Sequence, residues 1–215
     1  MGASNDVAHG HGDHLFGASV FPGLYEGRKV QPPLLGLFVP VFSGHVWGGS
    51  GRQFHDDFPV LEQAYFTIIN QAKDYFYITN PFIIPGPAVA QALQTAALSG
   101  VDVRLMISEK VDSKIVGWCV RSYFEALLKS GIKIYLIPDG FLHSKIIVSD
   151  DAISTIGTAN LDDRSFEQNY EVNAILYDAP IAGFLKDDFL KDSNISRLLS
   201  YQEHLKRAWG DKLKE

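Results

Sequence analysis

At 215 residues, with 46% hydrophobic and 20% charged side chains, the chain has the length and composition of one globular domain with a sizeable core, which excludes a disordered or disulfide-stapled scaffold. A formal charge of -6 argues against a surface that grips nucleic acid by releasing counterions. No run approaches the roughly 18 apolar residues that span a bilayer; the longest candidate, 34–42, is broken by Gly36 and Pro40, and the N-terminus lacks the pattern of a signal peptide.

In chain order, residues 1–57 form a Gly/Pro/His-rich segment without clean periodicity and read as irregular, disordered or atypical in fold. His9, His11, Asp13 and His14 within it have no recognised metal-ligand spacing. From residue 58 to 215 the pattern changes to one domain. Leu61, Ala64, Tyr65, Ile68, Ile69 and Ala72 recur at helical spacing, and 75–79 is an aromatic and β-branched strand. A helix over 88–99 stops at Gly100 before a strand over 101–107; a helix over 114–130 stops at Gly131 before a strand over 133–137. Cys119, the single cysteine, reads as a small buried hydrophobe of that last helix and cannot form an internal disulfide.

Three more strands are expected, over 143–149, 152–160 and 171–177, the first two joined at Asp150 and Asp151 as an antiparallel hairpin. The end of the chain reads as helix, with Leu198, Leu199, Leu205 and Trp209 as its buried stripe. The alternation predicts an α/β fold: a mixed, largely parallel sheet flanked by helices on both faces.

Chemistry concentrates in the hairpin. His143 and Lys145, two apart in a strand, would leave the same face, and Thr158 and Asn160 repeat that relation. If the strands pair, an imidazole, an ammonium, a hydroxyl and a carboxamide converge on one patch. Neutral imidazole can attack phosphorus, and its protonated form can supply a leaving alkoxide with a proton. The other three groups would stabilise charge growing on phosphate oxygens, with no metal or cofactor required. The acidic residues Asp162, Asp163, Asp187 and Asp188 read as solvated turns or helix N-termini rather than ligands of a metal pair.

The stretch HSKIIVSDDAISTIGTAN, residues 143–160, resembles the HxKxxxxD motif of the phospholipase D superfamily followed by its Gly-Ser/Thr-x-Asn element, with Thr158 where serine is commoner. The flanking text, YITNPFIIP and GTANLDDRSFEQNYEVNAILYD, is similar to the C-terminal catalytic half of bacterial cardiolipin synthases. The resemblance implies that His143 is nucleophile or general acid, that Lys145 and Asn160 bind phosphate with help from Thr158, and that Glu171 orients the imidazole. Asp150 completes the catalytic motif, but its place at the strand end reads as structural. Arg164 serves the phosphate or braces its loop.

The family pairs two such motifs, and this sequence carries one. Its partner half-site would come from the mate in a homodimer or from a missing N-terminal half. The implied activity is a phosphatidyltransferase acting on phospholipid at the cytoplasmic face of the bacterial membrane, through a phosphohistidine. Phe82, Ile83, Ile84, Phe141 and Leu142 could line an acyl-chain cleft, though core packing explains them equally well. A homodimeric phosphodiesterase or nuclease, made less attractive by the acidic charge, and an inactive fragment needing its partner half are the alternatives.

Overall fold

The computed structural model describes residues 37–43, 46–47, 53–54, 59–111, 113–138 and 142–206. The elements, in order, are β1 (Leu37–Ser43), β2 (Val46–Trp47), β3 (Gln53–Phe54), α1 (Val60–Gln71), β4 (Tyr75–Thr79), β5 (Ile83–Ile84), α2 (Pro87–Leu98), β6 (Asp102–Ser108) and α3 (Lys114–Lys129). They continue with β7 (Lys133–Ile137), β8 (Ile146–Ser149), β9 (Ile153–Gly157), β10 (Leu161–Asp162), α4 (Asp163–Glu167), β11 (Glu171–Tyr177), α5 (Ala179–Ile195), β12 (Arg197–Leu199) and α6 (Tyr201–Leu205).

Helix boundaries follow local chemistry. Ser113, Asp162, Asp178 and Ser200 each accept a backbone N–H of the first turn of the helix they precede. After α2 and α3 the chain reverses through Gly100 (φ 100°) and Gly131 (φ 89°), as the two glycines predict, because this left-handed conformation is costly for residues with a Cβ.

Eight strands form one sheet in the order β1-β11-β9-β8-β4-β6-β7-β12. Within this sheet parallel pairing is confined to β4, β6 and β7; every other neighbouring pair in it is antiparallel, so the sheet is mixed with a smaller parallel share than the βα pattern implies. Period-two alternation sends Phe76, Ile78, Val103, Leu105, Ile107, Ile134 and Ile147 into the core beneath α1, α2 and α3. On the other face Tyr77 stacks on Phe189 of α5, ring centroids 4.8 Å apart, and Tyr135 meets the same ring edge-on at 6.1 Å. Helices thus cover both faces, as an α/β sheet requires.

Other features also differ from the sequence reading. Strand β1 lies inside the segment read as irregular, so the sheet begins upstream of residue 58. Its Leu, Phe and Val residues suit a strand, and Pro40 is tolerated because β1 is an edge. The C-terminal stretch is not one helix: Leu198 and Leu199 sit in β12, paired with β7, and α6 spans only five residues, with Leu205 exposed and His204 buried. Cys119 is exposed on α3, because the buried stripe of that helix runs through Gly117, Val120, Phe124 and Leu127. The strands over 143–149 and 152–160 are shorter than expected, with the consequence described below. The His9 to His14 cluster, Phe141 and Trp209 lie outside the described residues. Among the described residues no helix is long and apolar enough to cross a membrane.

Candidate active site

Strands β8 and β9 form the expected antiparallel hairpin, with Asp150 (φ 53°) and Asp151 (φ 50°) as its left-handed turn. The open end of this hairpin lies beside the C-terminal end of β4, where open α/β sheets place their ligands. Strand β8 begins at Ile146 and β9 ends at Gly157, so His143, Lys145, Thr158 and Asn160 all stand beyond the regular ladder. Simple strand alternation therefore does not fix their directions. One further bond, from the Gly157 N–H to the Lys145 carbonyl (3.2 Å), carries the pairing to Lys145.

Lys145 is 5% exposed, an uncommon position for an ammonium without a tight ion pair. Its Nζ donates to the His143 carbonyl at 2.8 Å. Burial lowers its pKa below the ordinary lysine value, against the opposing pull of the Glu171 and Asp162 carboxylates. Those two charges locate the N-terminus of β11 and the end of β10 on the same side as the ammonium. His143 is exposed, yet partial shielding of its ring and then the Lys145 charge hold its pKa below the ordinary imidazole value. Both shifts run toward the neutral form, and the ammonium is tied to the backbone of the histidine.

Asp150 serves the other end of the strand. Its carboxylate accepts the backbone N–H groups of Lys73 (2.8 Å), Asp74 (3.0 Å) and Tyr75 (2.9 Å), tying the turn to the start of β4. At about 3.3 Å per residue it lies roughly 16 Å from Lys145 along the strand, too far to touch the same phosphate.

The Gly157–Asn160 loop is held from beneath by residues the sequence reading did not single out. The fully buried Asn173 accepts the Ala159 N–H at 3.2 Å and donates to the Tyr65 hydroxyl of α1 at 2.6 Å. A Cβ at Gly157 would lie 2.1 Å from the Asn173 Oδ1 and 2.5 Å from the Val172 carbonyl oxygen, so only glycine fits. Burial pushes the Tyr65 phenol up to about 12, keeping it a neutral hydrogen-bond donor and acceptor. The one sequence signal for Asn173 was a carboxamide at an inward position of an otherwise apolar strand.

Thr158 is tied into β11. Its hydroxyl accepts the Val172 N–H at 3.0 Å and its own N–H donates to the Val172 carbonyl at 3.0 Å, so the side chain replaces a ladder partner where β9 leaves β11. Asn160 is partly buried; its N–H donates to the Ser165 hydroxyl at 3.1 Å, and its Oδ1 is buried without a hydrogen-bond partner. Ser165 is in turn fixed by Asp162, whose carboxylate caps α4 at 2.7 Å. The buried Asn80, with its amide nitrogen on the Phe82 carbonyl (2.7 Å) and its oxygen on the Leu161 N–H (3.2 Å), joins the end of β4 to β10.

Glu171 is partly buried and accepts from the Asn169 carboxamide at 3.1 Å. Arg164 is exposed on α4. Ile83 is a core residue, with Phe82 and Ile84 packed against the core, so three of the five residues considered for an acyl cleft are accounted for by packing. Leu142 lines a cleft of only about 50 Å³ with Tyr77, Ile146 and Phe189. Among the described residues no group of three or more His, Cys, Asp and Glu side chains is placed to hold a metal ion.

A family model described as "Cardiolipin synthase, PLD-like domain" matches residues 65–193. The cardiolipin synthase of Clostridium perfringens is 43% identical over 148 residues, covering 69% of this chain and 31% of that protein. The major cardiolipin synthase of Bacillus subtilis is 43% identical over 155 residues, covering 72% and 32%. The chain therefore spans about a third of the length of the curated relatives it matches. Among solved structures, a phospholipase D family member, Nuc, from Salmonella typhimurium has a TM-score of 0.59 at 20% identity, covering 76% of this chain and 99% of that one. Phosphatidylserine synthase from Haemophilus influenzae has a TM-score of 0.61 at 18% identity, covering 81% and 42%. Fold, motif and sequence similarity agree: the chain belongs to the phospholipase D-like domain family of the cardiolipin synthases.

Proposed function

We propose that this domain supplies one half of a phosphatidyltransferase site that joins phospholipids into cardiolipin by phosphodiester transfer without a metal ion. The observation that carries the proposal is the buried Lys145 ammonium beside an imidazole kept below its ordinary pKa. A buried cation with no carboxylate at ion-pair distance among the described residues is costly, and an incoming phosphate would neutralise it.

In the proposed reaction a neutral imidazole, that of His143 or its counterpart in the second half-site, attacks the phosphorus of a phospholipid. A phosphorus–nitrogen bond forms as the bond to the headgroup alcohol breaks. The other imidazole, protonated, gives its proton to the departing alkoxide. It then takes a proton from the acceptor hydroxyl, whose oxygen attacks phosphorus and releases the histidine. Lys145 and Asn160 hold non-bridging oxygens through both steps, and Glu171 holds the imidazole in one tautomer. Thr158 contributes by shaping the loop, Arg164 stands ready for the phosphate or the loop, and Asp150 fixes the hairpin. The second half-site comes from a second copy or from an N-terminal half of the same enzyme. The 99% coverage of Nuc supports the first option, since one such domain makes up a whole solved chain. A phospholipid substrate would place the domain at a membrane surface, here assigned to the cytoplasmic face.

The test is transfer with phosphatidylglycerol micelles in a chelating buffer, followed by the release of free glycerol and the formation of cardiolipin. Transfer that survives His143→Ala at full rate would end the proposal. So would metal-independent cleavage of DNA, falling steeply with salt, by a protein that ignores lipid.

A further inference from the structure

A second cavity opens at the same end of the sheet, and nothing in the proposed chemistry uses it. It encloses about 310 Å³ between the C-terminal ends of β6 and β7, helix α3, and the β12–α6 corner. That volume suits one small ligand. By the strand order it lies two to three strands from β8, which at about 4.8 Å per strand is roughly 10 to 14 Å from the strand that leads out of Lys145.

The lining is chemically specific. Ser108, at the end of β6, has a buried hydroxyl without a hydrogen-bond partner, a condition native proteins seldom tolerate where no ligand or water answers it. Arg121 of α3, partly buried, meets no carboxylate among the described residues. Arg197 bridges Glu109 and Glu203 through one oxygen of each, leaving each carboxylate a second oxygen as acceptor. Phe124 supplies an apolar floor.

We propose that this cavity binds a phosphoglycerol group. The guanidinium of Arg121 takes the phosphate. The Glu109 and Glu203 carboxylates, held in place by Arg197, accept from the two free hydroxyls, and Ser108 completes the set. Inorganic phosphate lacks the hydroxyls and meets the carboxylates directly; glycerol lacks the anion. Both are poorer fits than the combined group. Where the group is the head of a lipid, the inference rests on the lipid reading above and names a docking site for a second phospholipid. Where it is free glycerol phosphate, the site is one for a soluble effector.

The experiment is calorimetric titration of the full chain with sn-glycerol 3-phosphate, inorganic phosphate, glycerol and a short-chain phosphatidylglycerol. Binding of the glycerol phosphate or of the lipid at least about tenfold tighter than phosphate or glycerol is expected, the equivalent of about 1.4 kcal/mol. Arg121→Gln should weaken it about tenfold or more and Arg121→Lys restore part of the loss. Ser108→Ala, which removes an unsatisfied buried hydroxyl and leaves the fold intact, should weaken it a few-fold. Preference for the lipid over the free ester assigns the lipid source, and the reverse assigns the soluble one. Failure of every probe to bind overturns the inference, as does binding indifferent to Arg121 and Ser108 but lost in Lys145→Met, which would put the group at the hairpin site. Binding that follows Arg121 in a protein with no transferase activity would sink the lipid chemistry and leave this site standing.

Discussion

The far end of the sheet and the open end of the β8–β9 hairpin treat charge in opposite ways. At the end away from the site, Asp102 accepts from Arg104 (2.8 Å) and Lys133 (2.7 Å), and Asp151 accepts from Tyr75 (2.9 Å) and Lys186 (3.1 Å). Burial alone would raise the pKa of Asp102, but Arg104 and then Lys133 bring it down to about 2. At the site end, His143 and Lys145 are both shifted toward their neutral forms, chiefly by burial, and the Asn160 oxygen is buried without a partner. One end holds its carboxylates in closed networks; at the other, burial shifts both cations toward neutrality and leaves an amide oxygen without a hydrogen bond. The difference teaches that the stability of this domain and its chemistry are separable along a single pair of strands.

The motif itself is divided by that line, and two substitutions in it test the division with the largest effects. His143→Ala should reduce transfer by about a thousandfold or more, the loss of both a nucleophile and a proton carrier, while the melting temperature stays within about a degree. Asp150→Ala should do the reverse. Three charge-assisted N–H bonds and a left-handed turn residue are lost, for a destabilisation on the order of 2 to 4 kcal/mol in chemical denaturation. The turnover of the folded fraction should be unchanged. A catalytic loss in Asp150→Ala at full stability would erase the distinction between the ends.

Gly157→Ala breaks the comparison differently, because it strains the fold at the site end. The added carbon meets both a side chain and a backbone carbonyl, so a destabilisation of about 3 kcal/mol or more is expected, with loss of transfer. Shortening Asn173 to serine in the same molecule should not restore stability, since the Val172 carbonyl remains in the way. Recovery in the double variant would show that the backbone contact is not limiting. Tyr65→Phe, removing only the 2.6 Å partner of Asn173, should cost about 1 to 3 kcal/mol and should lower transfer through the loosened loop.

How far the sequence went follows from the same geometry. Strands over 75–79, 133–137 and 171–177 coincide with β4, β7 and β11, because short apolar runs bounded by glycine or polar residues carry their own boundaries. Strand β1 was hidden by Pro40, which is compatible with a strand only at an edge, and being an edge is a property of the whole sheet. Helix α5 was missed because the stretch from 179 to 195 is charged and weakly periodic, and its Phe189 packs on Tyr77 and Tyr135, on strands far away in the chain. The motif names His143, Lys145 and Asn160 as candidates, and the structure sets all three at the open end of the hairpin. The same-face argument was not sufficient, because these residues stand outside the ladder on which that argument depends. Asn173 was invisible for a simpler reason: its partner, Tyr65, lies 108 residues earlier.

The smallest expected effects are in titration, and they probe the contrast most directly. At the far end the folded pKa of Asp102 is below its unfolded value, near 3.9, so the unfolded chain binds more protons in that window; its contribution to stability is present above about pH 4 and is lost as the pH falls toward 2. Lys133→Met should reduce this acid dependence. At the site end the sign is the same but the cause is opposite. The folded pKa of His143 is below the unfolded value near 6.5, so its protonation costs stability just below that pH and the cost disappears as the pH rises through it. Here burial, and then the Lys145 charge, opposes protonation. Following the imidazole by NMR should therefore show a pKa below 6.5 that moves only partway back in Lys145→Met, because burial outweighs the lysine charge. A His143 that titrated above 6.5 in the intact protein would mean that a carboxylate governs it, and the two ends would then handle charge alike.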